Sequence, residues 1–291
     1  MNLKEIKHRI LSVKNTQKIT SAMKLVSSAK LRRVQSVIDS MRPYKSGIDA
    51  MLATLLADSR SRRSEALKQY TAAREEMRVV LVAISSDTGL CGAFNANVAR
   101  LMAAVTEDYK AKGADTAVLA VGNKMCDAVR KLGMEPDTRF TALAGTPDYN
   151  SVAQMADELT EQFLAGKIDR VELIYTRLES MSRHTPVRKQ LLPIVPDNDC
   201  CRDDAPQEGL IVEPGYEELL ASLLPKTVAL ELYYTLLESA VSEHAARMVA
   251  MQLATDNADD LIASLTLEYN KGRQQAITSE ILDIVGGSSN E

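Results

Sequence analysis

Apolar positions near both ends of the chain recur with helical spacing, whereas those in the middle fall in short unbroken blocks. From Leu3 to about Asp58 the recurrence runs through Leu3, Ile6, Ile10 and Val13, then Ile19, Met23 and Val26, and on to Val34, Val37 and Met41. Such spacing predicts one long helix carrying a narrow apolar stripe. Between Val13 and Ile19 the segment KNTQK replaces that stripe with polar residues for more than a turn. A helix packed only against an apolar core would not keep this gap. Pro43 lacks an N–H and its ring crowds the preceding turn, which predicts a kink or short break there. The charged stretch DSRSRRSEALKQYTAAREE that follows predicts an exposed, partly helical extension.

In the middle, RVVLVAIS (Arg78 to Ser85) and TAVLAVG (Thr116 to Gly122) are continuous β-branched and aliphatic runs, the pattern of strands buried on both faces. Amphipathic stretches at Asn95 to Lys112 and Lys124 to Leu132 follow each of them, and a third helix is predicted from Val152 to Leu164. It precedes the strand RVELIYT, Arg170 to Thr176. The order strand, helix, strand, helix predicts a parallel sheet with right-handed crossovers. PVRKQLLPIV, Pro186 to Val195, alternates and contains Pro193, which suits an edge strand.

From Lys226 to Val285 there is no proline and one internal glycine, Gly272. As a single helix this stretch would be ~90 Å long at ~1.5 Å per residue, more than a compact domain needs. Steps of four and three give Leu237, Val241, His244, Met248, Met251, Thr255, Ala258, Ile262, Leu265, Tyr269, Gly272 and Ala276, a heptad seam with small residues toward its end. Small side chains supply little apolar area per turn, so the far part of the seam is expected to be the softer one. Two long helices separated by a domain are expected to pair antiparallel, as a rod on a globular base. The predicted fold class is therefore α/β: a long antiparallel coiled coil of N- and C-terminal helices plus a small Rossmann-like α/β domain with a mostly parallel sheet. The expected divisions are 1–75, 76–210 and 211–291.

Composition sharpens this picture in three ways. The chain has 291 residues, no Trp and three Phe, and its 45% hydrophobic content favours helices. The first eighteen residues carry Lys4, Lys7, Arg9 and Lys14 and so lack the apolar core of a secretion signal, and no segment reaches the ~18 unbroken apolar residues of a membrane span. Net charge is −4, yet Met1 to Lys45 holds eleven Lys and Arg against only Glu5 and Asp39, a surplus of nine positive charges. That asymmetry predicts a negative partner surface along the N-terminal helix.

Candidate chemistry is sparse. Cys91, Cys126, Cys200 and Cys201 include no CxxC pair and no histidine at zinc spacing, and the vicinal pair lies in the loop PDNDCCRDDAPQ, which reads as a surface excursion. SSDTGLCGAFN, Ser85 to Asn95, follows a strand and precedes a helix, but its Gly89 and Gly92 match neither a dinucleotide fingerprint nor a P-loop, so a structural turn is expected. His8 and His244 fall on the long helices and His184 in a loop before Pro186, leaving no triad. Asp259 with Asp260, and Glu217 with Glu218, are adjacent in sequence, diverge on a helix, and read as solvated charges. The basic N-terminal stripe lacks the interleaved aromatics of a nucleic-acid surface. No catalytic, cofactor or metal site is expected, and the pattern points to mechanical coupling. The alternative from another class is a Rossmann-like nucleotide-binding enzyme with helical dimerisation arms; a second is a free-standing coiled-coil scaffold that forms homodimers.

Three blocks carry a resemblance. IKHRILSVKNTQKITSAMKLVSSAKL (Ile6 to Leu31), SSDTGLCGAFN, and SEHAARMVAMQLATDNADDLI through NKGRQQAITSEILDIVGG (Ser242 to Gly287) resemble the gamma subunits of F-type ATP synthases. The resemblance implies a rotor shaft, itself non-catalytic, that couples proton- or sodium-driven c-ring rotation to ATP synthesis or hydrolysis on a surrounding ring of alpha and beta subunits. The implied contacts with that ring are Met23, Arg247, Arg273, Gln274 and Thr278, to which charge and position add Lys18, Lys24 and Lys30. Glu213, in the loop VEPG, is the candidate contact with the c-ring and the epsilon subunit. Delta, b and a subunits are further implied members of the complex, at the cytoplasmic face of a bacterial inner membrane, with no nucleic acid. Departures from the family pattern are Thr88, where Arg is frequent after the aspartate, and Ser288, where Ala is usual. Cys200 and Cys201 do not reproduce the spaced cysteines of the chloroplast redox insert, and no thiol switch is expected.

Overall fold

A computed structural model describes residues 3–57, 63–145, 147–181, 183–195 and 212–288, with side chains placed as far as residue 282. Cys200 and Cys201 lie outside the described residues. The chain divides into two compact units, Met1–Ala29 with Arg247–Glu291, and Lys30–Ala246. Helix α1 (Leu3–Ala57) and helix α6 (Tyr216–Ser288) each contribute to both.

The larger unit is built on a four-stranded sheet of β1 (Arg78–Ile84), β2 (Asp115–Val121), β3 (Arg170–Ser180) and β4 (Arg183–Leu192), in the order β2-β1-β3-β4. β1 runs parallel to both neighbours, and β4 pairs antiparallel with β3 at the edge. Central β1 is apolar at every position after Arg78 because both of its faces are covered. Helices α3 (Phe94–Ala111) and α4 (Asn123–Lys131) cover one face, where Val98, Met102, Val105, Met125 and Val129 pack with Leu81, Ala83, Ala120 and Ile174. Helix α5 (Tyr149–Leu164) starts with Asp148 accepting from the Ser151 N–H and buries Val152, Met155, Leu159 and Phe163. The strands and crossover helices thus lie within a few residues of their predicted positions. His184, expected in a loop, pairs with Leu178 within β4, because the β3–β4 hairpin extends beyond the apolar runs that mark its core.

The break allowed for at Pro43 does not occur, and α6 begins earlier than expected. α1 continues through Pro43, and α6 starts ten residues before Lys226 and contains Pro225. Each proline deprives the carbonyl four residues earlier of its donor. Those carbonyls belong to Asp39 and Ala221, both exposed residues, where water can supply the missing donor. The extension after α1 is also more ordered than its charge suggests. Ser64 caps α2 (Glu65–Thr71) by accepting from Leu67 N–H at 3.2 Å, and Leu67 and Tyr70 are buried. Glu217, read as a solvated charge, accepts from the backbone N–H groups of Glu65 and Ala66 at 3.2 and 3.0 Å.

In the smaller unit the two helices pair antiparallel. The Thr20 and Thr255 hydroxyls are 2.8 Å apart, Gln17 donates to Asp259, and Leu3 lies against Gly272, where a Cβ would sit 3.2 Å from the leucine. Along α6, Met251, Thr255, Ala258, Ile262, Leu265, Tyr269 and Gly272 of the predicted seam are buried or half-buried, and Ala276 is exposed. On α1 the seam is Leu3, Ile6, Ile10, Val13, Gln17, Thr20, Lys24 and Ser27. This corrects the predicted stripe, since Ile19 is 60% and Val26 56% exposed. The heptad runs through the polar gap without a break, and the helices meet there through hydroxyl and amide groups.

Candidate functional site

Two features of the fold are placed to act on something outside the chain. The first is the C-terminal end of the parallel strands. β1 has β2 on one side and β3 on the other, and this reversal of strand order is where open α/β sheets bind ligands. Here the loop that follows β1 is tied to the starts of α3 and α4 by hydrogen bonds. Ser86 is fully buried; its hydroxyl bonds the Thr88 carbonyl at 2.6 Å and meets the Asn95 side chain at 2.9 Å. Asn95 Nδ2 also donates to Cys91 Sγ at 3.1 Å, and Cys91 packs with Phe94 and Ala246. Asp87 Oδ1 accepts from the backbone and side-chain N–H groups of Asn123 at 3.2 Å, tying the loop to the start of α4. Gly122, beside it, has φ +94°, and a Cβ there would meet the Ser85 carbonyl oxygen at 2.4 Å. The loop is a turn held by its own hydrogen bonds. At its tip Leu90 has φ +63° and is 63% exposed, a strained backbone holding an apolar side chain outward.

The second feature is the outer surface of the helix pair in the smaller unit. The pair buries one seam only, and large apolar side chains remain outside it: Leu11, Ile19 and Leu25 on α1, Leu253, Leu261 and Leu267 on α6. Isolated exposed leucines are ordinary, but a two-helix unit with this many has apolar surface left for another molecule. Interspersed with them on α1 are exposed Lys4, Lys7, Arg9, Lys14 and Lys18. The surface is therefore both apolar and basic.

The sequence-predicted contact residues divide between buried and open positions. Lys18, Arg273, Gln274 and Thr278 are exposed in the smaller unit, and the Thr278 hydroxyl donates to the Gln274 carbonyl one turn back at 2.9 Å. Met23 and Lys24 are half-buried, Lys24 on the seam itself. Arg247 is only 8% exposed, so most of its side chain is covered by its own chain. Lys30 and Glu213 are exposed in the larger unit. Among the described residues no group of three His, Cys, Asp or Glu side chains is arranged to hold a metal ion.

Sequence reasoning passed over two charged clusters in the larger unit. Glu172 in β3 is 1% exposed and accepts from Tyr109 OH at 2.9 Å, Arg188 Nε at 2.6 Å and Arg170 Nε at 2.7 Å, while Arg170 also pairs with Glu76. Burial pushes the Glu172 carboxyl up, but Arg188, Tyr109 and Arg170 outweigh it and hold it below the ordinary range. Burial and the same carboxylate push the Tyr109 hydroxyl up to about 12. The second cluster joins Lys45, Lys189 and Glu231. The signal for both was an acid inside an otherwise apolar run, RVELIYT and ALELYY, which demands a partner.

The comparisons with known proteins agree with one another. The family model described as ATP synthase matches residues 2–290. A protein of Bacteroides thetaiotaomicron named ATP synthase gamma chain is 44% identical, with 99% of each chain covered. One of the same name from Flavobacterium johnsoniae is 43% identical over 99% of this chain and 98% of its own. Among solved structures, a chain of the Euglena gracilis mitochondrial ATP synthase superposes with a TM-score of 0.62 at 20% identity, covering 99% of this chain and 93% of that one. A chain of the Tetrahymena thermophila mitochondrial ATP synthase central stalk and c-ring gives 0.60 at 21%, covering 81% and 99%. These distant structures bear on the fold, and the closer sequence relatives on descent: the chain belongs to the ATP synthase gamma chain family.

Proposed function

We propose that this chain is the rotor shaft of an F-type ATP synthase, turning within a ring of alpha and beta subunits and coupling c-ring rotation, driven by protons or sodium ions, to ATP synthesis or hydrolysis. The observation that carries the reading is the helix pair whose own core is one seam and whose outer surface is apolar and basic. A shaft must touch its surroundings without a deep, fixed interface, because every contact has to break as it turns. Long-range attraction between basic side chains and acidic levers on the beta subunits meets that need. An off-axis shaft presents a different face to each beta subunit and so biases each toward a different opening, which rotation exchanges in sequence.

On this reading the catalytic sites belong to the ring and this chain is non-catalytic. Lys18, Met23, Lys24, Lys30, Arg247, Arg273, Gln274 and Thr278 face the ring, with Arg247 contributing the edge of a covered side chain. Glu213 faces the c-ring and the epsilon subunit; delta, b and a subunits complete the assembly. No described helix is long and apolar enough to cross a membrane, consistent with a peripheral place at the cytoplasmic face of a bacterial inner membrane. The test is purification of the tagged chain from membranes. Recovery of alpha, beta, epsilon and c subunits at the mass of an assembled ATPase is the expected result; recovery of the chain alone or as a homodimer would sink the proposal.

A further inference from the structure

Glu231 lies on α6 within the larger unit, its side chain 17% exposed. Lys45 of α1 approaches one of its oxygens at 3.0 Å, and Lys189 of edge strand β4 donates to the other. Lys45 also bonds Asp49 at 2.7 Å and sits over the Tyr234 ring, 5.7 Å from its centre. One carboxylate therefore joins three elements that are far apart in sequence: the first helix, the last helix and the open edge of the sheet. Seven residues along α6, on the same face, Glu238 lies 3.7 Å from Arg177 of β3. The two rungs flank a cleft of about 310 Å³, bounded further by Tyr175 and Arg42. Burial pushes the Glu231 carboxyl up, but Lys189 and Lys45 outweigh this and keep it charged.

Apolar packing resists separation, and its interdigitation resists sliding, but it carries no directional bond that singles out one register. A charge-assisted hydrogen bond has direction and is lost when either partner shifts. The geometry of these three side chains thus opposes sliding of either helix along the sheet edge. We infer that Glu231 is a positioning residue that locks both long helices to the sheet and so carries load between them. The inference rests on the rotor reading above. The arms are unequal: Lys189 is 41% exposed and open to screening by salt, whereas Lys45 is 20% exposed. Lys189 makes the closer contact, and Lys45 is the arm that salt screens less.

The test uses the complete membrane-bound complex with Glu231→Gln, Lys45→Gln, Lys189→Gln and the charge-preserving Lys45→Arg. Two quantities are read: ATP hydrolysis, and ions pumped per ATP against a rising opposing gradient. Hydrolysis without load is expected to stay near wild type. Pumping under load by Glu231→Gln is expected to fall about threefold. Lys45→Gln should follow it, Lys189→Gln should lose less, and Lys45→Arg should recover most of the loss. A general loss of structure would lower both readouts together and would not be rescued by arginine, which overturns the inference. Unchanged pumping by Glu231→Gln at wild-type stoichiometry also overturns it. Failure of the wild-type chain to assemble with ring subunits is a different result, and it removes the rotor reading itself.

Discussion

The sheet of the larger unit and the helix pair of the smaller one solve the same problem with opposite means. In the sheet, Leu81, Val82, Ala83, Leu173 and Ile174 are wholly buried, and the one carboxylate among them, Glu172, is held by Tyr109, Arg188 and Arg170. In the helix pair the midpoint of the seam is Gln17 and Thr20 against Asp259 and Thr255, side chains that also have access to solvent or to their own helix backbone. Polar groups that cannot reach water bind a structure tightly because their alternatives are costly. Polar groups with alternatives fix alignment and add little strength. The comparison therefore predicts large losses from altering buried charge in the sheet and near-neutral outcomes along the seam.

The largest effect is expected at Glu172. Glu172→Ala leaves Arg188, Arg170 and Tyr109 facing an empty carboxylate position, a loss of about 3–5 kcal/mol for a broken buried pair. Hydrogen exchange of the full chain is the suitable readout because it resolves the two units. Protection should fall in β1, β3 and β4 and hold for residues 250–272 of α6. A uniform small change would contradict the contrast. Gly122→Ala comes next. Its φ of +94° and the 2.4 Å approach to the Ser85 carbonyl require the β1 end to move, at a cost of roughly 2–3 kcal/mol. The loop from Ser85 to Asn95 should then lose protection ahead of the strands.

Much of this architecture was legible because it rests on strong local signals. β1 and β2 announce themselves as β-branched blocks, and the α6 seam from Leu237 to Gly272 follows from heptad spacing alone. The α1 seam was not legible in the same way. Around the polar gap two stripes compete, one through Ile19, Met23 and Val26 and one through Gln17, Thr20, Lys24 and Ser27. Hydrophobicity favours the first, yet Ile19 and Val26 face outward while Thr20 and Ser27 are buried, with Met23 and Lys24 both half-buried, because heptad continuity with Val13 and Leu31 decides which side faces inward. The apolar residues so displaced form the outward surface on which the functional reading stands. The partners of Glu172 and Glu231 were hidden for another reason: Tyr109, Lys45 and Lys189 are brought to them only by tertiary packing.

The pH response offers a moderate test of the same contrast. Glu172 is held below the ordinary glutamate value of 4.5, and Arg139 holds Asp137 below the ordinary aspartate value of 3.8. A depressed carboxyl pKa stabilises the fold fully above the unfolded-state value and ceases to do so as pH falls through the folded one. The larger unit should thus keep its stability down to about pH 4.5 and lose it progressively below. The check is tyrosine circular dichroism during acid titration, since Tyr109 and Tyr175 are buried in the sheet unit. With Glu172→Gln the midpoint of acid loss should become less steep, because that proton no longer drives it.

The smallest effect is expected from Thr20→Val combined with Thr255→Val. Valine keeps the shape of threonine, and removing both hydroxyls leaves neither without its partner across the seam. Exchange of both members of a hydrogen-bonded pair for apolar groups is near neutral, within about 1 kcal/mol and with stabilisation as a permitted sign. The single change Thr20→Val should be slightly worse than the double, although the Thr255 hydroxyl retains the Met251 carbonyl as acceptor. What the pair supplies is alignment, so its loss should appear in register. Cysteines placed at Gln17 and Asp259 should crosslink readily with the threonines present. In the double valine chain, crosslinking should spread to a cysteine placed one heptad away, at Thr266. If it stays confined to position 259, the polar midpoint does not set the register, and the apolar seam on either side, Ile6 and Ile10 with Leu265 and Tyr269, is sufficient to do so.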